Sequence, residues 1–338
     1  MNTYYAANLL IYAGVDIIAC LALNLQFGVS GIVNFSFIVF QAIGAYAAAV
    51  LSMPPDTTSG YDFQIYVGGF NLPFPLPWIG GAVAGGLLAI PVGFVVLRKL
   101  RPDYQAIALL VLSIIANEVA TNARPLLNGA AGLALVPQPL QDQISPADPT
   151  YQYFYVGLTI VAVALVWLVS ARIVNSPWGR TLRAMRDHEL AATALGKNAV
   201  ALKMTIFVTG GVIAGLSGAI LVGFITTWAP SEWLYPETII LFAAVIVGGR
   251  GNNRGAILGA LLVPVGFEEV TRYIPQDFTL GPLHITPQVG FVPALQWVLI
   301  GALIIGFLWF RPEGVRPEPR HVYSEDFDTE EQHSVKTA

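Results

Sequence analysis

The sequence predicts an all-α integral membrane protein, a polytopic helical bundle of about nine membrane segments with its N-terminus outside and its C-terminus inside. Three observations predict this. First, 11% of the 338 residues are charged and 55% are hydrophobic, whereas a soluble domain carries roughly 25% charged residues. Second, apolar runs recur that approach the roughly 20 residues needed to cross a bilayer as helix. Third, the basic residues are distributed unevenly between the segments that separate those runs, as the positive-inside rule requires of a spanning chain.

The runs lie at 7–25, 32–52, 77–97, 104–123, 152–172, 204–226, 236–249, 255–270 and 291–310. Those at 236–249 and 255–270 are short and are expected to be tilted, broken or re-entrant. Numbering the connections alternately places 15 of the 17 Lys and Arg on one side: Arg98, Lys99, Arg101, Arg172, Arg180, Arg183, Arg186, Lys197, Lys203, Arg250, Arg254, Arg311, Arg316, Arg320 and Lys336. Only Arg124 and Arg272 fall on the other. The rule assigns the first group to the cytoplasm, which fixes the orientation and an odd number of crossings. Cys20 is the only cysteine, so no internal disulfide forms, and it reads as a small buried helix residue.

The outer segments 53–76 and 124–151 are rich in proline and read as ordered turns. Trp78, Trp228, Trp233 and Tyr235 fall at span ends, where amphipathic rings prefer the headgroup zone. Small residues four apart (Gly81 and Gly85, Gly211 and Gly215, Ala214 and Gly218, Gly255 and Gly259) allow close approach of helix backbones in lipid. Residues 1–316 form one membrane domain. The remainder, 317–338, is acidic, poor in apolar residues and expected to be disordered.

The largest cytoplasmic segment before the tail is 173–203. Ser176-Pro177 is a helix opening, with Ser as N-cap and Pro first in the helix, and Gly196 is a stop signal. Between them Trp178, Leu182, Met185, Ala192 and Leu195 recur at helical spacing, with Arg180, Arg183, Arg186 and Asp187 largely elsewhere on the wheel. This is an amphipathic helix outside the membrane. By spacing alone it fits a lipid surface, a plain connector or a groove on a partner.

The same residues carry a resemblance. Ser176-Pro-Trp-Gly-Arg180, Leu182-Arg-Ala-Met-Arg186 and Glu189-Leu-Ala-Ala-Thr-Ala-Leu-Gly196 resemble the cytoplasmic loop of the LivM/LivH-type permeases of branched-chain amino acid ABC importers, and are closer to LivM. Leu23-Asn-Leu-Gln-Phe-Gly28, Asp103-Tyr104 with Ala106-Ile107, Asn128-Gly129 with Gly132-Leu133, Val247-Gly-Gly-Arg-Gly251 and Gly255-Ala-Ile-Leu-Gly259 extend it over roughly residues 20–310. The resemblance implies a non-enzymatic transport subunit of a bacterial inner membrane that translocates branched-chain or other amino acids, or related small polar solutes such as amides or urea, using ATP hydrolysed by a separate subunit. Its ATPase-coupling loop is carried by Arg180, Arg183, Arg186, Glu189, Ala191, Ala192 and Gly196. Its implied partners are ABC ATPase subunits that bind ATP and Mg, a homologous permease subunit, an extracytoplasmic solute-binding protein and the lipid bilayer, with no nucleic acid. The chain itself is expected to hold no cofactor and no metal.

The residues agree on where ATP is not bound. Gly196-Lys197 is nearest to a P-loop, but the required upstream glycine is Ala191 and the residue after the lysine is Asn198. An ion-coupled carrier is the alternative, with Asp16 and Glu118 as its intramembrane ionisable groups. Uncharged polar residues inside spans need partners; Asn34, Ser36 and Gln41 beside Gly28 and Gly31, with Asn117 and Glu118, are the candidates for a translocation path.

Overall fold

A computed structural model describes residues 3–55, 64–146, 148–266, 278–280, 283–285 and 291–318. It is a helical bundle. Helix α1 is Thr3–Leu23 and continues as a π-helical segment, Asn24–Val29. Then come α2, Phe37–Ser52; α3, Leu76–Lys99; α4, Pro102–Asn122; and α5, Pro149–Asn175. Two short helices outside the bundle follow: α6, Pro177–Asp187, and α7, Glu189–Ala194. The remainder is α8, Ala199–Ile225; α9, Tyr235–Gly248; α10, Asn253–Ala260, continued by a π turn at Leu261–Val265; and α11, Phe291–Phe310.

Each of the nine expected runs overlaps one of these helices, and the end of the 255–270 run, 267–270, lies outside the described residues. Six helical stretches are long and apolar enough to cross a membrane: 5–29, 76–99, 103–122, 149–175, 199–225 and 230–248. The apolar helices at 37–52, 253–265 and 297–310 are shorter. The run expected at 255–270 carries Pro264 inside its π turn, where the ring removes a backbone donor and loosens the helical ladder. One small departure from an all-α fold is a two-stranded antiparallel ribbon, β1 (Phe278–Leu280) with β2 (Leu283–Ile285), in register Thr279 opposite His284.

The centre of the bundle is the packing of α8 on α2 and α3. It is built from glycine. A Cβ added at Gly44 or Gly81 would strike the backbone of Gly215 or Gly44, and one at Gly85 would strike Gly211. Gly218 lies against the Gln41 carbonyl, and Gly255 and Gly259 lie against Gly248 and Ala244. The small-residue pairs read from sequence are therefore contact seams. Without a hydrophobic force between helices in lipid, close packing of this kind holds the bundle together.

The tryptophans differ from expectation. Trp78, Trp228 and Trp233 do lie at helix ends, but they are buried in protein. Trp228 and Trp233 both pack edge-on to Tyr46, and Trp78 packs on Phe74 and Tyr155. Only Tyr235 of the four is exposed. The connecting segments reach these rings: Phe74 packs edge-on to Trp78. Leu133 pairs with Trp228 as an isolated β-bridge, with backbone hydrogen bonds of 2.9 and 2.8 Å.

The segment after α11 is docked. Val315 and Arg316 donate backbone hydrogen bonds to Val247 and Gly248 at 2.8 and 3.0 Å, and Asn252 Nδ2 donates to the Pro317 carbonyl at 2.9 Å. Pro317 and Glu318, which the sequence places in the tail, thus belong to the folded body. The rest of the acidic tail, with Arg320 and Lys336, lies outside the described residues, as does Arg272.

Candidate functional site

The extramembrane loop is built as two helices with a break. The Ser176 hydroxyl accepts from the Gly179 amide at 3.1 Å, the N-cap expected for α6. The expected single helix to Gly196 is interrupted at His188, whose backbone is not helical, and α7 restarts at Glu189. Gly196 does end it, with a φ of +79°. The break changes the buried face. Leu182, Met185 and Ala192 are buried, but Leu195 is 81% exposed, and Leu190, on the turn after the break, is 86% exposed.

The charged residues of the loop face inward more than the helical wheel suggests. The Arg186 guanidinium donates to the Gly28 carbonyl at the end of α1, and to Glu318 Oε2 at 2.8 Å. Arg183 lies 3.6 Å from Glu318 Oε1 and donates to the Val174 carbonyl at 3.2 Å. Burial alone opposes the Arg186 charge, yet the hydrogen bond and charge of Glu318, with Asp187 beside it, raise its pKa above the ordinary value. Glu189 accepts from Lys203 Nζ at 2.7 Å, which ties α7 to the first turns of α8. Arg180, Ala191 and Gly196 are exposed and Ala192 is buried. A clamp therefore fastens α6 to α1 and to the segment after α11, while the tip of α7 is left bare.

Gly28 is the inner end of a hydrogen-bonded core. Asn24 donates to Asn253 Oδ1 at 3.0 Å and accepts from the Gly251 amide at 2.8 Å, joining α1 to α10. Gln26 donates to the Phe207 carbonyl of α8 at 2.9 Å and accepts from Asn34 at 2.9 Å. Asn34 in turn accepts from the Ser36 hydroxyl at 2.8 Å. The chain breaks between Gly28 and Ser36, and Asn34 and Ser36 are wholly buried partners within that break.

Gln41 goes elsewhere. It lines a cavity of about 320 Å³ with Asp16, Trp228, Glu232 and Glu237, among others. Asn117 donates to the Pro230 carbonyl at 2.7 Å, on the loop that carries Glu232. Glu118 is exposed on α4, accepts from Asn122 at 2.9 Å and does not line the cavity. The structure thus separates Asp16 from Glu118. The Lys203–Glu189 and Glu318 ion pairs and the Asn24–Asn253 bridge were not anticipated from sequence, and Trp228 was read only as a span-end ring; their partners lie up to 229 residues away along the chain, and no local pattern marks them.

The family profile described as "Branched-chain amino acid transport system / permease component" matches residues 5–308. The chain belongs to this family. It is 28% identical over 329 residues to the high-affinity branched-chain amino acid transport system permease protein LivM of Salmonella typhimurium, covering 90% of this chain and 68% of that protein. It is 26% identical over 332 residues to the probable branched-chain amino acid transport permease protein LivM of Methanocaldococcus jannaschii, covering 92% of each. The probable LivH of the same organism is 21% identical over 308 residues, covering 89% of this chain and 91% of that one. No solved structure matches. The chain is thus a multi-pass membrane permease subunit of the ABC-importer type, a reading that stands over the ion-coupled carrier.

Proposed function

We propose that this chain is the LivM-like subunit of a bacterial inner-membrane importer of branched-chain or chemically related amino acids, crossing the membrane nine times with its N-terminus outside and its C-terminus inside. It pairs with a LivH-like permease. Two ATPase subunits bind ATP and Mg below it, and a solute-binding protein delivers cargo from the other side. The observation that carries the reading is the geometry of α6 and α7. Their inner face is fixed by the clamp of Arg183, Arg186 and Glu318, and their outer tip presents Leu190 and Leu195 at 86% and 81% exposure. Isolated apolar side chains so fully exposed on a short helix suit insertion into a groove on a partner.

The mechanism follows from that arrangement. ATP-driven closure of the ATPase pair moves α7. Lys203 passes the movement to α8 through Glu189, and Arg186 passes it to α1 through Gly28. Asn24 then carries it to α10. These are stiff, hydrogen-bonded connections between packed helices, the kind of network that transmits displacement. Asn34, Ser36, Gln41, Asn117 and Glu118 keep the role of candidate path residues, with Gln41 the one that faces open space.

The test is co-purification. A tagged chain solubilised in mild detergent brings down an ATPase subunit and a second permease, identified by mass spectrometry. Leu190→Asp together with Leu195→Asp removes the ATPase and keeps the second permease. Full ATPase recovery with the double variant refutes the docking assignment.

A further inference from the structure

The cavity at Gln41 has more order than packing alone requires. It lies between α1, α2, α8, α9, α11 and the π turn after α10, at the end of the bundle remote from the α6–α7 loop. Helix α8 runs 27 residues from that loop to the cavity's end, roughly 40 Å. Glu232 and Glu237 are exposed and stand at its mouth, while Asp16 is half-buried. Deeper are two hydrogen-bond donors in protein. Gln41 is 5% exposed and lines the cavity. Trp228 is 2% exposed, and its indole Nε1–H has no partner. A buried donor without a partner is costly, so the Trp228 indole beside the Gln41 amide marks a place where something else completes it. The Trp228 ring is held from behind by Tyr46 and by its backbone pairing to Leu133.

The remaining wall is apolar, with aliphatic Ile38, Leu221 and Ile240 and aromatic Tyr12 and Trp297. No Lys or Arg lines the cavity among the described residues. Glu232 is partly engaged, its Oε2 accepting from the Ala229 amide at 3.3 Å. We infer that this cavity is a transit site for a zwitterionic amino acid with an aliphatic side chain. The α-ammonium sits toward the carboxylates of Asp16, Glu232 and Glu237, the α-carboxylate takes the donors of Gln41 and Trp228, and the side chain lies on the aliphatic wall. The donors are placed for a carboxylate, and the acids reject a ligand that lacks an ammonium group. The volume falls at the small end of the range for ligand pockets. This inference rests on the permease reading above.

The experiment traps cargo in transit. The tagged assembly, reconstituted in liposomes with its binding protein and ATP, is given photo-leucine, irradiated and digested. Alkyl-diazirine adducts are expected on peptides carrying Asp16, Gln41 or Glu237, and excess leucine suppresses them while 4-methylpentanoate, which lacks the ammonium, does not. Gln41→Leu and Trp228→Phe each lower the adduct yield at least fivefold in assemblies that still co-purify with their second permease. Leucine uptake driven by ATP with adducts only elsewhere, or yields unchanged in both variants, overturns the cavity assignment and leaves the permease reading standing. Absence of any ATP-driven leucine uptake overturns both.

Discussion

Replacing Arg186 by Met keeps the apolar stem of the side chain and removes the guanidinium. Three interactions are lost: the hydrogen bond to the Gly28 carbonyl, the 2.8 Å contact with Glu318 and the 3.1 Å contact with Asp187. The last involves an Asp187 side chain that is 61% exposed, and an exposed pair of this kind contributes little. The first two count. Arg186 and Glu318 are 19% and 20% exposed, so solvent screens them only in part. A hydrogen bond to a charged group contributes about 1.5–3 kcal/mol when buried. Partial exposure, and the retention of Arg183 at 3.6 Å from Glu318, reduce the combined loss to about 2 kcal/mol. At 1.4 kcal/mol per factor of ten, the ratio of docked to undocked loop falls roughly 30-fold. The assay is uptake of labelled leucine per ATP hydrolysed in liposomes. We expect the variant to hydrolyse ATP with uptake per ATP reduced at least fivefold. Glu318→Gln, which keeps a hydrogen-bond acceptor, should lie between wild type and Arg186→Met. In the Arg186→Met/Glu318→Gln pair the two losses should be less than additive, as residues sharing one contact require. Unchanged uptake per ATP in Arg186→Met would refute the idea that this clamp carries the motion.

Three further outcomes are expected. Glu189→Lys sets two ammonium groups face to face where a 2.7 Å ion pair stood, and should uncouple uptake from hydrolysis; the charge swap Glu189→Lys/Lys203→Glu restores the pair and should recover most of the uptake, whereas failure of the swap assigns Glu189 to direct partner contact. Gly215→Val places a branched side chain against the backbones of Gly81 and Gly85; overpacking costs about 1–3 kcal/mol where atoms can shift and more against backbone, so a steep fall in monodisperse yield on size-exclusion chromatography is expected, with a normal yield counting against the seam. Asn24→Leu removes the bridge to Asn253 and Gly251 and orphans the Gly251 amide and the Asn253 carbonyl oxygen, about 1–3 kcal/mol per group; faster hydrogen exchange at 250–254 is the readout, and no change there removes Asn24 from the transmission route.

What could be read in the sequence was what is written locally. Apolar run length located the helices within a few residues, because a spanning helix satisfies its backbone internally and needs no distant partner. The glycine pairs were legible for a related reason: a spacing of four residues fixes one face of a helix whatever it meets. The loop motif was legible as a resemblance, and its helix opening as chemistry. What failed depended on where other parts of the chain come to rest. The loop was expected to be one helix with Leu195 on its buried face. His188 breaks it and turns Leu195 out, and no spacing rule anticipates that. The tryptophans were expected at a lipid interface, but Trp228 packs with Tyr46 and Leu133 and Trp78 with Tyr155, and contacts made across such distances in the chain leave no local trace. The polar path residues divided by the same logic. Asn34 and Ser36 find partners within eight residues of each other or of Gln26, whereas Gln41, one helical turn into α2, faces a cavity lined from α1, α8, α9, α11 and the π turn after α10.

The two sites proposed here share α1. Its residue Asp16 faces the cavity, and Gly28, twelve positions on, is held by the loop arginine. At 1.5 Å per residue the two are roughly 18 Å apart along one axis. Between them Asn24 and Gln26 anchor the helix to α10 and α8, at the point where it relaxes into π geometry. A π segment holds its backbone hydrogen bonds less tightly than an α-helix, and such segments are frequent at functional sites. A pull on Gly28 therefore meets its softest element before it reaches Asp16. If the movement is rigid, the cavity widens or narrows at the Asp16 side, and photo-leucine adducts on the Asp16 peptide should differ between the ATP-bound and ATP-free assemblies. If the π segment absorbs the movement, those adducts are unchanged, and the change appears instead on the α10 side that Asn24 grips. Breaking the Asn24 grip distinguishes the two. Gly28→Ala drives a Cβ into Asn24 and the Gly251 backbone; on the rigid reading the Asp16 adducts keep their nucleotide dependence in this variant, whereas on the other reading the nucleotide-dependent change on the α10 side is lost.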